Sequence, residues 1–290
     1  MASFKYNVLD SMDELLEVYN QAPEAYLIAG GSDLMVTIHN KVIEPGLLID
    51  ITGVKEMSVI EEKDDYVSIG PCCTHRDIGL SELLNKQFPY IVEASKSVGA
   101  EQTRSVGTIG GNICSAVPST DLAPSLMVSG ARLVLSSVDG ERTVNIENFF
   151  TGPRRTVLQD NEVLTEIQMP KRDDRIGKFI KFGRRKALSL ALVNVAVAVC
   201  FDSEYKEIED TSIALGAVAP TPVRASQAEE FLKTNTLSES NIEKAVEMVP
   251  EAASPISDIR ASAEYRLDLI KALSRRALNN IMEEAGRSRK

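Results

Sequence analysis

Two glycine pairs, Gly30-Gly31 and Gly110-Gly111, place the strongest condition on what this chain can fold into. The first pair follows a short apolar run, Tyr26 to Ala29, and precedes Ser32-Asp33 and a helical pattern from Leu34 to His39. The second lies in Thr108-Ile109-Gly110-Gly111-Asn112 and is followed by Ser115, Pro118 and Asp121. Glycine lacks Cβ, so it reaches positive φ and lets another group approach the backbone, and successive N–H groups can then converge on an oxyanion. Two such turns in one domain can hold a pyrophosphate from opposite sides, with Ser32, Thr108 and Ser115 as hydroxyl donors. Either turn taken alone is equally well a plain tight turn. Neither G-x-x-x-x-G-K-[ST] nor G-x-G-x-x-G occurs, so neither a P-loop nor a Rossmann turn is supported.

Charge narrows the ligand chemistry. The 290 residues carry 32 Lys and Arg against 42 Asp and Glu, a net charge of −10. A nucleic-acid partner is therefore not expected, because phosphate backbones are bound by positive fields. A phosphate ligand would instead be met by backbone N–H groups and helix N-termini. The N-terminal Met1 to Tyr6 has no basic stretch followed by an apolar one, and the longest apolar run, Leu190 to Phe201, is interrupted by Asn194. That run falls short of the roughly 20 residues a membrane helix needs, so a cytoplasmic protein with no membrane partner is expected. Cys72, Cys73, Cys114 and Cys200 form no C-x-x-C pair. Their spacing suits neither zinc nor an iron–sulfur cluster, so no metal site is expected in this chain.

Along the chain, Ser11 with Glu14 reads as a capping box before Leu15, Leu16 and Val18. Strands are expected at Leu47 to Ile51 and Tyr66 to Gly70, with a helix capped by Thr74 and Asp77 and a helical stretch from Tyr90 to Val98. Residues 107–121 are small, polar and rich in Gly and Pro, which reads as loop. Ala131 to Val138 and Arg142 to Ile146 read as a hairpin joined by Asp139-Gly140. The charged run Lys171 to Arg175 divides residues 1–174 from a second domain, 175–290. That domain opens with apolar strands at Ser189 to Phe201 and Thr211 to Ala219, the first buried on both faces. Helices follow at Glu229 to Leu232, at Glu239 to Met248 behind a Thr236/Glu239 capping box, and from Ala261 to Glu284. Leu267, Ile270, Leu273, Ala277 and Ile281 share one face of the last helix. The fold class is α+β with two domains, and 43% apolar residues suffice for a core in each.

Taken together, Ala29-Gly30-Gly31-Ser32-Asp33-Leu34, Thr108 to Ile113 and the Ala116, Pro118, Asp121 spacing resemble the FAD-binding subunits of molybdenum hydroxylases. Asn161 to Leu164, Lys181 to Arg185, Val218 to Arg224 and Arg260 to Arg266 follow in the family's order, so the resemblance spans the chain. The last two segments are most similar to bacterial xanthine dehydrogenases. The resemblance implies a vanillyl-alcohol-oxidase-type FAD domain followed by a small antiparallel sheet with helices, of the carbon monoxide dehydrogenase flavoprotein C-terminal type. It implies that Leu27, Ile28, Ala29, Gly30, Gly31, Ser32, Asp33 and Leu34, with Thr108, Ile109, Gly110, Gly111 and Asn112, wrap a non-covalent FAD. Ser115 and Asp121 are implied as cofactor hydrogen-bonders, Val163 and Leu164 as apolar contacts, and Lys181 as a neighbour of the isoalloxazine ring. A cation there favours the anionic reduced flavin. One departure is Val98, where some members place an aromatic ring against the flavin.

The implied role is electron transfer. A large partner carries molybdopterin and hydroxylates the substrate, and a small partner relays electrons through two [2Fe–2S] clusters to FAD, which passes them to NAD. The implied assembly is a dimer of heterotrimers. No acid or base catalyst is required of this chain, and His39 and His75, its only histidines, suit surface or structural duty. Arg184 and Arg185 suit a dinucleotide phosphate or a partner ion pair. Two other readings stay open: a stand-alone FAD oxidase or dehydrogenase, and a non-catalytic nucleotide-binding module.

Overall fold

The computed structural model describes residues 4–185 and 188–288; Met1 to Ser3 of the N-terminal reading above lie outside them. The chain opens with β1 (Lys5–Val8), α1 (Met12–Gln21), β2 (Tyr26–Ile28), α2 (Leu34–His39) and β3 (Leu47–Asp50). Their strands form a parallel sheet in the order β1-β3-β2, with Tyr6 opposite Leu48 and Leu27 opposite Ile49. Parallel neighbours need a crossover, which α1 and α2 supply. Ser11 starts α1 by accepting the Glu14 N–H at 3.3 Å, and Leu15 anchors the helix in the core. The sequence did not announce β1, because all four of its residues are exposed and no apolar alternation marks it. The first glycine pair follows β2 directly, at the carboxyl end of a parallel strand where α/β proteins commonly bind ligands.

The next part sets helices against an antiparallel sheet. Its elements are β4 (Ile60–Glu62), β5 (Tyr66–Ile69), α3 (His75–Leu80), α4 (Glu82–Gln87), α5 (Pro89–Lys96), α6 (Glu101–Arg104), α7 (Ile109–Cys114) and α8 (Leu122–Val128). Then come β6 (Arg132–Ser137), β7 (Gly140–Asn145), the small hairpin β8 (Phe150–Gly152) and β9 (Arg155–Thr156), and β10 (Val163–Pro170). Five of these strands form one sheet in the order β4-β5-β10-β6-β7. Thr74 and Asp77 do form a complete capping box for α3, and Gly140, at φ +133°, makes the turn between β6 and β7. The expected loop at 107–121 is corrected: it contains α7, whose N-cap Thr108 accepts the Gly111 N–H at 3.1 Å. Two glycines lower helix propensity, but Ile109 and Ile113 are fully buried and tertiary packing overrides the local preference.

The C-terminal sheet runs β11-β12-β13-β14, from β11 (Arg175–Gly183), β12 (Ala191–Phe201), β13 (Ile208–Gly216) and β14 (Val223–Arg224). Three helices cover it: α9 (Ser226–Lys233), α10 (Glu239–Met248) and α11 (Ala263–Ser288). All eleven residues of β12 are buried, and they alternate by size rather than polarity. Val193, Val195, Val197, Val199 and Phe201 join Ile270, Leu273, Ala277 and Ile281 of α11 in one core. Ala196 and Ala198, with Phe179 and Ala214, belong to the core of the preceding part, under α5 and α8. The two domains therefore share a core across a face of small residues; a Cβ on Gly177 would lie 2.2 Å from the Tyr90 ring. Several local expectations change: β11 was not expected, α9 begins at Ser226 rather than Glu229, and β13 ends at Gly216 rather than Ala219. β13 starts at Ile208, not Thr211, because it pairs back to Phe201, and α10 is capped by Ser238 rather than Thr236, whose carbonyl instead accepts from Asn241 Nδ2.

Candidate functional site

The first glycine turn is held by contact with the second. A Cβ on Gly30 would fall 1.8 Å from the Val106 carbonyl oxygen, so only glycine lets the two segments touch. Gly31 adopts φ +63°, and Ser32 beyond it is exposed. Among the described residues, the backbone N–H groups of Gly30, Gly31, Ser32, Asp33 and Leu34 have no hydrogen-bond partner in the chain. Free amides around a left-handed glycine are the donors with which a backbone concavity binds phosphate oxygens.

The second turn differs: contrary to expectation, its amides do not converge on an open site. Ile109 N–H donates to the Cys73 carbonyl at 3.0 Å, Gly110 N–H to that of Pro71 at 2.8 Å, and Asn112 N–H to that of Thr108 at 3.0 Å. With Gly111 N–H on Thr108 Oγ1, the amides of this turn are committed within the protein. Gly110 is required because a Cβ would meet Pro71 at 2.5 Å, which is packing against protein rather than ligand. Beyond its own helix, a Cβ on Gly111 would meet Thr108 Oγ1 at 3.1 Å and no other atom of the described residues within 4 Å, and the residue is exposed. The second pair thus docks α7 on the Pro71 to His75 segment and turns one bare glycine outward.

Polar contacts tie the first turn to the β8–β9 hairpin and the segment after the second turn to the C-terminal sheet. Arg154, at the tip of the β8–β9 hairpin, donates to Asp33 Oδ2 at 2.9 Å, and its backbone N–H donates to the Ala116 carbonyl at 2.8 Å. That guanidinium, with the Ser115 hydroxyl, holds the Asp33 carboxyl below the usual carboxylate range. Arg154 was missed in the sequence; the Gly152-Pro153-Arg154 turn was its only signal. On the other side, Thr120 Oγ1 donates to Asn112 Oδ1 at 2.5 Å. The neighbouring Asp121 is 7% exposed and accepts from Lys181 Nζ at 2.6 Å and Asn194 Nδ2 at 3.1 Å. Lys181 Nζ also donates to the Ser97 carbonyl at 3.0 Å. Burial pushes the Asp121 carboxyl up, against the opposing pull of Lys181 and Asn194. Lys181 and Ser97 line a cleft of about 310 Å³ between α5 and α11.

Not every expected residue faces this region. Val163 and Leu164 are 2% and 4% exposed and point into different cores. Leu27 and Ile28 belong to β2, with Ile28 buried. Val98 is half-buried, and its carbonyl accepts from Arg104 at 2.9 Å. His39 is exposed, whereas His75 is buried with Nδ1 3.1 Å from Ser95 Oγ, and burial pushes its pKa down to about 4. Cys72, Cys73 and Cys200 are buried free thiols and Cys114 is half-buried; burial pushes the first two up to about 12. Among the described residues no group of three or more His, Cys, Asp and Glu is gathered as a metal ion would need, and no helix is long and apolar enough to cross a membrane.

Comparison with known proteins decides the family. The model for the FAD binding domain in molybdopterin dehydrogenase matches residues 2–172, and that for the CO dehydrogenase flavoprotein C-terminal domain matches 178–281. The chain belongs to the FAD-binding subunits of the molybdenum hydroxylase family. It is 30% identical to the glyceraldehyde dehydrogenase medium chain of Sulfolobus acidocaldarius, over 96% of this chain and 98% of that one. It is 28% identical to the xanthine dehydrogenase FAD-binding subunit of Escherichia coli O157:H7, over 97% of both. A carbon monoxide dehydrogenase structure from Hydrogenophaga pseudoflava superposes with a TM-score of 0.91 at 29% identity, covering 97% of each chain. Within the family's architecture the site lies at a seam: both glycine turns and Asp121 come from the first matched region, and Lys181 and Asn194 from the second. Arg224 and Arg266 act as internal braces. Arg224 forks onto Glu229 at 2.7 and 2.9 Å, and Arg266 donates to the carbonyls of Leu192 at 2.5 Å and Ala217 at 3.3 Å.

Proposed function

We propose that this chain is the electron-transferring FAD subunit of a xanthine dehydrogenase-type complex. In this reading it receives electrons from the [2Fe–2S] clusters of a small partner and delivers them to NAD. A large partner holds molybdopterin, and the complex pairs as a dimer of heterotrimers in the cytoplasm. The carrying observation is the row of free amides from Gly30 to Leu34, together with the buried Asp121–Lys181 pair. In a chain of net charge −10, such amides are the expected means of holding a pyrophosphate.

In this reading the roles divide along the chain. Gly30 to Leu34 and the Ser32 hydroxyl take the pyrophosphate. The outward face of Gly111, with Asn112 and Ser115, closes over it, while Thr108, Ile109 and Gly110 support that face from behind. Asp121 and Lys181 take the ribityl and isoalloxazine end. Val163 and Leu164, with buried side chains, contribute main chain beside it. Bound FAD supplies the redox chemistry, accepting electrons singly and releasing them in pairs. The chain binds, orients and sets the potential, and no proton transfer is asked of its side chains. Relatives include medium or FAD-binding chains of glyceraldehyde, xanthine and carbon monoxide dehydrogenases, and the xanthine assignment rests on the likeness of residues 218–224 and 260–266.

The test is to purify the tagged chain from its source, record the visible spectrum, and assay NAD reduction with hypoxanthine. Flavin and iron–sulfur absorbance, one small and one large co-purifying chain, and purine-dependent NADH formation are expected. A yellow single chain that oxidises an organic substrate unaided would replace this reading with a stand-alone oxidase, and a colourless chain that ignores FAD with a binding module.

A further inference from the structure

Asn194 stands out among the buried polar residues. It is fully buried in the middle of β12, on the small-residue face of the sheet, and interrupts an otherwise apolar run. Its Nδ2 donates to the Thr120 carbonyl and to Asp121 Oδ1, each at 3.1 Å. Both of those partners are acceptors only, so the amide cannot be flipped without setting oxygen against oxygen. The orientation leaves Oδ1 without any hydrogen-bond partner among the described residues. A buried carbonyl oxygen left unpaired opposes folding and calls for an explanation. The sheet makes room for it: Gly216 is the residue opposite Asn194, and a Cβ there would lie 2.1 Å from Oδ1.

Asp121 is unusual in the same way. It occupies the N-cap position of α8, where a carboxylate ordinarily accepts from the helix's first amides, yet it makes no capping bond. Both oxygens are turned away instead, Oδ1 to Asn194 and Oδ2 to Lys181. Lys181 Nζ has three protons, of which the Ser97 carbonyl and Asp121 take two. The third is left to donate elsewhere, and the direction it points is fixed by how firmly the other two are held.

We infer that Asn194 is a positioning residue: its amide clamps Asp121 away from the helix cap and onto Lys181, so that the ammonium is held in one orientation toward the flavin. This rests on the reading of the site as an FAD site. It assigns Asn194 the setting of the cofactor's potential through a neighbour rather than contact with the cofactor.

Two readouts on the full chain test it, one needing no cofactor. In cofactor-free protein, the rate of Lys181 acylation by an amine-reactive ester, followed by mass spectrometry, reports how tightly the ammonium is held. Asn194→Leu and Gly216→Ala, which displaces the amide without removing it, should each raise that rate about tenfold, the equivalent of one hydrogen bond to a charged group. In FAD-loaded protein both variants should bind reduced flavin about tenfold less tightly relative to oxidised flavin, a fall in midpoint potential of about 30 mV for a two-electron couple. In an Asp121→Asn background, Asn194→Leu should change neither readout further, because its route through Asp121 is gone. A lower melting temperature with an unchanged acylation rate and potential would reduce Asn194 to a packing residue and overturn the inference. A chain that takes up no FAD overturns the reading of the site, and the acylation rates still judge the clamp by themselves.

Discussion

Individual side chains here answer to burial before chemistry, and His75 shows it with a measurable consequence. The ring is 3% exposed beneath the second glycine turn, and its backbone N–H donates to the Gly107 carbonyl at 2.9 Å. Desolvation, helped by the charge of Arg104, lowers its pKa from 6.5 to about 4. A base whose pKa is depressed on folding takes up its proton more readily in the unfolded chain. Its contribution to stability is therefore whole above pH 6.5 and is lost as pH falls from 6.5 toward 4. The loss approaches about 1.4 kcal/mol per pH unit within that window. Denaturant midpoints measured across it should fall more steeply for the native chain than for His75→Gln; equal slopes would show that the imidazole titrates freely. Gly30 and Gly110 make a related point. Both were singled out in the sequence as places where a ligand approaches, but each is required because another protein segment already does.

Secondary-structure elements were read best where a periodicity had a polar face to contrast with it. The face of α11 carrying Ile270, Leu273, Ala277 and Ile281 was legible, as was the Thr74 capping box, because both are local. β12 could be recognised as a strand buried on both sides, but the difference between its faces is one of size and was not read. Valines fill the side toward α11, and Ala196 and Ala198 admit α5 and α8 on the other. Ala198→Leu should accordingly destabilise the chain by about 1–3 kcal/mol through overpacking, although leucine is the more hydrophobic residue. Urea denaturation checks this, and a neutral or stabilising result would mean that the helices can retreat. α7 went unread because its glycines and polar residues are those of a loop, and only its docking on Pro71 and Cys73 makes it a helix.

The whole molecule is more unified than its two matched regions suggest. Phe179, Ala196, Ala198 and Ala214 of the C-terminal sheet belong to the same core as Tyr90, Leu126 and Ile167. Unfolding either part exposes the apolar face of the other, so calorimetry on the full chain should give a single transition with equal calorimetric and van't Hoff enthalpies. Two separated transitions would show that the shared core does not couple the parts. The seam so created is where Asp121 from one side meets Lys181 and Asn194 from the other. A site divided in this way is as ordered as the packing beneath it.

By itself the sequence determined the α+β class, many of the strands and helices though not β10 or β11, and the two glycine turns with Asp121 and Lys181 as the residues of interest. Those properties reside in local composition, capping and periodicity, or in ordered motifs that resemble a known family. Only the tertiary structure decided which amides are free and which are used. It joined Asp33 to Arg154 and Ser115 across the chain, and turned Asp121 from its helix cap toward Lys181. It also gave Asn194, in sequence a mere interruption of an apolar run, a defined partner. The physical reason is that a hydrogen-bonding group has many local options, and which one it takes is settled by the distant segments that packing brings within 3 Å.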